Sequence, residues 1–132
     1  MKNNLTKIFG TSTKKIPDHI ISQLLKHFPD ALNIDWDIKD DFYEAVFYVD
    51  DTEFIAKISE ENGLTGYKKN LKLDELPEII NAECEKSGEI MNAIAIYTKS
   101  NLLYEIIVRD KEFRRTLLLI SKSGEILESK TI

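Results

Sequence analysis

The stretch that decides the fold is "LNIDWDIKDDFYEAVFYVDDTEFIAKIS", residues 32–59. Apolar and polar residues alternate through residues 32–38, which is typical of a half-buried β-strand. Two further β-rich runs follow at residues 42–49 and 53–59, and the short polar segments KDD and DDT separate the three runs. Because aspartate favours turns, we predict three neighbouring strands joined by tight turns.

The run FYEAVFYV has two chemically different faces. One face is apolar apart from a tyrosine hydroxyl and consists of Tyr43, Ala45, Phe47 and Val49. The other is mixed and consists of Phe42, Glu44, Val46 and Tyr48. Since successive side chains of a strand point to opposite faces, we expect the first face to lie beneath helices and the second to face solvent.

A helix is predicted on the N-terminal side of these strands. Pro17 occupies a favoured first helical position, apolar residues recur at helical spacing as far as Phe28, and Pro29 ends the pattern. The same order then restarts with a proline-led helix at residues 77–87, for which Gly88 is the predicted cap. Four strand-like runs follow, IMNAIAIYT, LLYEIIVR, FRRTLLLIS and EILESK.

The run LTGYKKN, residues 64–70, is predicted as a fourth strand of the first half, so the two halves of the chain share one order of elements. We predict an α+β fold, a tandem repeat of a helix plus a four-stranded antiparallel meander, which forms one continuous sheet with the helices on one face. Residues 1–15 are predicted to form a flexible N-terminal arm. Residues 16–132 are predicted to form a single domain made of two repeats, 16–72 and 76–132.

The aspartates of residues 27–51 allow two interpretations, a metal or acid–base site and the wet side of a sheet. Asp40, Asp41, Asp50 and Asp51 fall at the predicted turns. The segment DWDIKDD lacks the glycine and the bidentate glutamate of a calcium loop, and a paired-carboxylate hydrolase needs an enclosed pocket. We interpret these aspartates as turn-forming residues that also contribute to solubility. We predict no catalytic residue, no metal site and no cofactor.

The remaining reactive residues favour structural roles. His19 and His27 are eight residues apart, whereas two metal ligands on one helix are usually three or four apart, so we expect exposed histidines. Cys84 lies with Ile79 and Ile80 on the predicted apolar face of the second helix, which favours a buried thiol over a nucleophile. Trp36 is interpreted as a core residue because its companions Leu32, Ile34 and Ile38 favour the core, and the alternative is a partner-binding anchor on the open face.

Charge and hydropathy limit the partners and the compartment. The formal net charge is −5 over 132 residues, and an acidic body repels phosphate backbones, so we expect no nucleic-acid binding. Neither a membrane span nor the apolar region of a signal peptide is present in the sequence. The sequence as given predicts a cytoplasmic protein, and a periplasmic or cell-envelope protein if an upstream export signal has been removed.

The chain resembles the bacterial PepSY-like family, which is related in fold to the beta-lactamase inhibitor protein. The matching features are a proline-led helix ending in FPDA, then NIDWDI, then FYEAVFYVDDTEFIAKIS, and LLISKSGEILES as a closing hairpin. The resemblance covers roughly residues 16–130. It implies a tandem repeat of helix and four-stranded sheet, and a role in binding or inhibition in the cell envelope.

Three functions follow from this interpretation. The first is a non-catalytic binding or inhibitory module that contacts a protein or peptide through the open sheet face, with the candidate residues Glu44, Tyr48, Ile55, Lys57, Glu105, Arg109 and Arg115. The alternative for that face is simple solvation. The second function is a small-ligand carrier or an enzyme with a pocket between helices and sheet. The third is self-association through the outer face or through TLLLI as an edge strand.

Overall fold

A computed structural model describes residues 15–132 of the chain. It contains helices α1 (Asp18–His27) and α2 (Glu78–Glu85), and a short 3-10 helix (Leu73–Glu75) precedes α2. The eight strands are β1 (Leu32–Ile38), β2 (Tyr43–Val49), β3 (Thr52–Ser59), β4 (Gly63–Leu71), β5 (Glu89–Thr98), β6 (Leu102–Arg109), β7 (Arg115–Ser121) and β8 (Ile126–Thr131). The predicted flexible arm falls almost entirely on residues 1–14, which lie outside the described part.

All eight strands belong to one antiparallel sheet whose spatial order is the chain order, β1 to β8. The predicted α+β class and the continuous antiparallel meander are therefore confirmed. β4 pairs with β5 over residues 66–71, so the two halves of the chain share one sheet without a break. β1 and β8 form its two edges.

Both helices cover the same face of this sheet. Ile20 and Leu24 of α1 pack in a cluster with the fully buried Ala45 and Phe47 of β2. Ile80 and Cys84 of α2 pack in a second cluster with β-strand residues that include Tyr104, Ile106 and Val108. Because directly opposite residues of neighbouring strands share a face, the strand pairing places both clusters on one side of the sheet. The predicted buried face is confirmed.

Aromatic rings join the two clusters. Phe28, which follows α1, lies 4.9 Å from Phe47 and 5.1 Å from Tyr67, measured between ring centroids. Tyr67 of β4 stacks on Tyr97 of β5 at 4.6 Å, across the junction between the two halves. Such pairs add about 0.5–1.5 kcal/mol beyond their buried area, so the junction is a packed part of the core.

The first strand departs from the predicted alternation. Leu32 was expected on the core face, yet it is 62% exposed. The pairing of β1 with β2 shifts between Leu32 and Asp35, and Asn33 has a φ of +53°. A bulge of this kind changes which way the preceding side chain points. Trp36, beyond the bulge, packs against the α1 cluster as predicted.

The end of α2 also differs from the prediction. The helix ends at Glu85 with Lys86 as its C-cap, and Gly88 lies two residues further on. Gly88 has a φ of +153°, and a Cβ there would stand 2.5 Å from the Arg109 carbonyl oxygen. Glycine is therefore required by the close approach of β6 rather than by helix capping. Ile79, which was predicted on the apolar side of α2, is 54% exposed.

Candidate functional site: the open face of the sheet

The open face is the side of the sheet opposite α1 and α2, and it carries the side chains that alternate with the core positions. Five strands, β2, β3, β5, β6 and β7, place half-buried aliphatic residues on it: Val46, Ile55, Ile94, Ile96, Leu103, Ile107, Leu117 and Leu119. β4, between β3 and β5, contributes Lys68 and Asn70 instead. Both helices contact the sheet on its other side, so no helix described between residues 15 and 132 covers these side chains. An extensive aliphatic surface rimmed by polar residues is typical of an interaction site, so this face is the candidate.

The candidate residues from the first half of the chain form one group on this face. Glu44 of β2 lies directly opposite Lys57 of β3, and Tyr48 lies opposite Glu53. The Tyr48 hydroxyl donates a hydrogen bond of 3.4 Å to Glu53 Oε2, and Tyr48 remains 40% exposed. Ile55 stands between these two pairs along β3. We define Glu44, Tyr48, Ile55 and Lys57 as the β2–β3 group.

The candidate residues from the second half form another group. Arg109 of β6 lies directly opposite Arg115 of β7, and its guanidinium donates a hydrogen bond of 3.2 Å to Glu89 Oε1. The same guanidinium lies over the Phe113 ring, 5.3 Å from its centroid. Glu105 lies on the same face of β6, opposite Leu119. We define Glu105, Arg109 and Arg115 as the β6–β7 group.

The structure therefore brings the seven candidate residues to one face but divides them into two groups. β4 and β5 lie between the groups, so strands β3 and β6 are separated by three strand spacings, or about 14 Å. A partner that contacts both groups must therefore lie across the middle of the sheet.

A shallow trough occupies that middle region. Its larger part has a volume of about 280 Å³ and is lined by residues that include Ile55, Lys68, Ile96 and Gly66. A smaller depression of about 160 Å³ continues from it and shares Ile55 and Lys68. A Cβ at Gly66 would stand 2.8 Å from the Tyr97 carbonyl oxygen, so only glycine fits this part of the trough.

Sequence reasoning missed most of the aliphatic residues of the open face. The signal was present, since β5, β6 and β7 contain the nearly continuous apolar runs AIAI, IIV and LLLI. Continuous runs are typical of strands that are covered on both faces, whereas alternation is typical of strands with one wet face. The segment TLLLI, which was predicted as an edge, belongs to β7 and pairs with both β6 and β8.

Two sites whose titratable groups have shifted pKa values lie away from the open face. Cys84 is fully buried beneath α2, and burial, with a smaller contribution from Glu83, raises the pKa of its thiol to about 11. At the end of β3, Glu60 Oε1 lies 2.5 Å from His19 Nε2, and the Tyr43 hydroxyl donates a hydrogen bond of 3.3 Å to Glu60 Oε2. The hydrogen bond with His19 lowers the pKa of Glu60. Both sites are therefore structural contacts of helices with the sheet.

The described part of the chain contains no cluster of three or more histidine, cysteine, aspartate or glutamate side chains that could hold a metal ion. Among residues 15–132, no helix has the length and apolar character needed to span a membrane.

No protein-family model matches the chain, and no curated protein matches it. Solved structures do resemble it. A DUF2874 family protein from Bacteroides uniformis has a TM-score of 0.78 at 15% identity, covering 89% of this chain and 90% of that one. A protein from Bacteroides eggerthii, provisionally described as periplasmic, has a TM-score of 0.78 at 19% identity, covering 90% and 91%. A BLIP-like protein from Bacteroides fragilis has a TM-score of 0.74 at 18% identity, covering 91% and 90%.

These likenesses extend over nearly the whole of each chain, so the fold is similar to that of the BLIP-like protein and of the DUF2874 family protein. At identities of 15–19% they concern the fold alone.

Proposed function

We propose that this chain is a non-catalytic binding or inhibitory module and that its open face contacts a protein or peptide. The observation that supports this proposal is the set of half-buried aliphatic side chains from β2, β3, β5, β6 and β7, which no helix within residues 15–132 covers. Protein interfaces combine an apolar centre with an enrichment of aromatic and arginine residues, and both occur on this face. The likeness to a BLIP-like protein fits a role in protein binding.

We also propose that the chain is a tandem repeat of PepSY-like units. Its elements follow the order of one helix and four strands twice, and prolines, Pro17 and Pro77, are the N-caps of both helices. Gly63 and Gly124 occupy corresponding turns, and both have positive φ values, +68° and +95°. These correspondences support a duplication of one ancestral unit.

An enzyme or ligand carrier with a pocket between helices and sheet is a weaker proposal. Such a site needs polar groups that converge on a cavity. The buried cluster beneath α2 consists of apolar side chains together with the Cys84 thiol and the Tyr104 ring. A thiol whose pKa is raised to about 11 carries almost no nucleophilic thiolate at neutral pH.

Self-association is a further alternative, and β8 is the strand that favours it. β8 is an edge of the sheet, and all six of its residues are exposed. An exposed edge offers unpaired backbone groups to a second chain. Light scattering at two protein concentrations would test this, since a fixed mass at both concentrations would argue against it.

Affinity capture with defined variants tests the binding function. The tagged protein is incubated with extracts of the cells from which it comes, and the bound proteins are identified by mass spectrometry. Tyr48→Ala and Arg109→Ala should each abolish the capture of a specific partner while leaving Tm nearly unchanged. Lys26→Ala and Ile79→Ala, on the exposed helix surfaces, are the matched controls and should capture as the wild type does. Unchanged capture by both open-face variants would refute the proposal.

A further inference from the structure

The β6–β7 group contains a pair of like charges that the fold places face to face. Arg109 and Arg115 are direct cross-strand partners, and like charges in this position destabilise a sheet. Arg109 has Glu89 as a counter-ion at 3.2 Å. Arg115 forms no ion pair with any residue of the described part of the chain. The pair therefore leaves an uncompensated positive charge at this end of the open face.

The next row of side chains along the same strands is aliphatic. Ile107 of β6 lies directly opposite Leu117 of β7, and both are half-buried. Lys130 of β8 lies opposite Leu117 and adds a further positive charge beside this row. An apolar side chain of a partner could pack on Ile107 and Leu117 while a carboxylate next to it reaches the arginines.

The row after that carries the opposite charge. Glu105 of β6 lies opposite Leu119 of β7, and Glu128 of β8 lies on the other side of Leu119. The open face therefore presents in succession a basic row (Arg109 and Arg115), an aliphatic row on β6 and β7 that Lys130 of β8 flanks, and a row in which Glu105 and Glu128 lie on either side of Leu119. Residues two apart on a strand are about 6.6 Å apart and point to the same face, so the three rows span about 13 Å.

From this charge pattern, and resting on the proposed function, we propose that the β6–β7 end of the open face binds an extended protein segment with an acidic, an aliphatic and a basic side chain at alternate positions. The acidic side chain pairs with Arg109 and Arg115, because guanidinium groups bind carboxylates in a bidentate manner. The aliphatic side chain packs on Ile107 and Leu117. The basic side chain faces Glu105, which disfavours a polyanion such as a nucleic acid along the same path.

The spacing of the partner follows from strand geometry. In an extended segment, side chains at positions i, i+2 and i+4 point to one side with the same repeat as Arg109, Ile107 and Glu105. A segment of reversed sequence would match the same rows by lying in the opposite direction. Controls must therefore change the composition of the segment rather than its order.

Titration of the ¹⁵N-labelled protein with short blocked peptides tests the proposal, with amide shifts as the readout. The probe is the peptide ETLTK, and the controls are KTLTK, which lacks the acid, and ETSTK, which lacks the aliphatic side chain. We expect ETLTK to give saturable shifts at Arg109, Ile107 and Leu117 with a Kd of about 1 mM, which is a reasonable affinity for so small a ligand. Both control peptides should bind about threefold to fivefold more weakly, the effect expected for the loss of one exposed contact.

Two variants connect the peptide to the arginine pair. Arg115→Glu should weaken ETLTK binding by at least about threefold, because the new carboxylate pairs with Arg109 and repels the acid of the peptide. Lys122→Glu, in the β7–β8 turn, makes the same change of two charges away from the face and should bind ETLTK as the wild type does. Arg115→Ala serves if Arg115→Glu fails to fold, and it should also weaken binding.

Equal binding of ETLTK and KTLTK, or unchanged binding by both Arg115 variants, would overturn this inference. Shifts confined to the central trough, at Gly66 and Ile96, would also overturn it while leaving the broader binding function in place. An absence of shifts anywhere would overturn the inference alone, since the capture experiment judges the proposed function independently.

Discussion

Two adjacent isoleucines of β6 offer a direct comparison of the two faces of the sheet. Ile106 is fully buried beneath α2, whereas Ile107 is half-buried on the open face. Truncation to alanine removes three carbons in both cases. At Ile106 the lost transfer free energy is about 2.4 kcal/mol, and a cavity adds to it, so we expect a total cost of about 3–4 kcal/mol. At Ile107 water can fill the vacated space, so we expect about 1 kcal/mol.

Urea denaturation of Ile106→Ala and Ile107→Ala measures these costs, with the slope m used to check that unfolding remains two-state. In a thermal scan, 1 kcal/mol corresponds to about 3–4 °C for a chain of this size, so Ile106→Ala should lose about 10–14 °C and Ile107→Ala about 4 °C. Arg109→Ala removes a partly exposed side chain of the same strand and should change Tm by less than either isoleucine variant. Equal losses of stability at Ile106 and Ile107 would refute the assignment of their faces.

Three further predictions concern other parts of the fold. The Cys84 thiol is buried and its pKa is raised to about 11, so it should react with a maleimide only as fast as the protein opens. The reaction should therefore accelerate sharply in urea. Rapid reaction of the native protein would contradict the burial of this thiol. Because the pKa of Glu60 is lowered in the folded state, its carboxylate stabilises the fold above pH 4.5, the ordinary value of its pKa, and this stabilisation is lost as the pH falls. The difference in unfolding free energy between the wild type and Glu60→Gln, measured by urea melts, should therefore shrink in acid. A difference that grows in acid would contradict the lowered pKa. Gly66→Ala places a Cβ 2.8 Å from the Tyr97 carbonyl oxygen and should cost about 1–3 kcal/mol in the same melts, whereas no loss would show that the junction can widen freely.

Most of the fold could be predicted from the sequence because the chain uses two simple periodicities. Alternation along β2 separated Ala45 and Phe47 from Glu44 and Tyr48, and the structure places these pairs on opposite faces. Proline marked the start of both helices. Short turns between strands then required neighbours in sequence to be neighbours in the sheet, which gave the meander.

The errors arose where contacts between distant segments override local pattern. The bulge at Asn33 changes the direction of the Leu32 side chain, and its only local signal is the tolerance of asparagine for a positive φ. Gly88 resembled a helix cap, but its requirement comes from the carbonyl group of Arg109, which is distant in sequence.

The site was harder to predict than the fold. The seven candidate residues all lie on the open face, yet their division into two groups depends on the pairing of β4 with β5. Arg109 and Arg115 lie directly opposite each other because of the register between β6 and β7, and a single sequence does not reveal this register.

The central claim is that one face of the sheet is sealed by helices and the other is accessible to partners. A methyl spectrum recorded with a soluble paramagnetic agent tests this claim most directly, because the agent broadens the signals of methyl groups that it can approach. The δ-methyl signals of Ile55, Ile94, Ile96 and Ile107 should broaden, while those of Ile58, Ile80, Ile106 and Ile120 should remain sharp. Equal protection of both sets would contradict the existence of an open face.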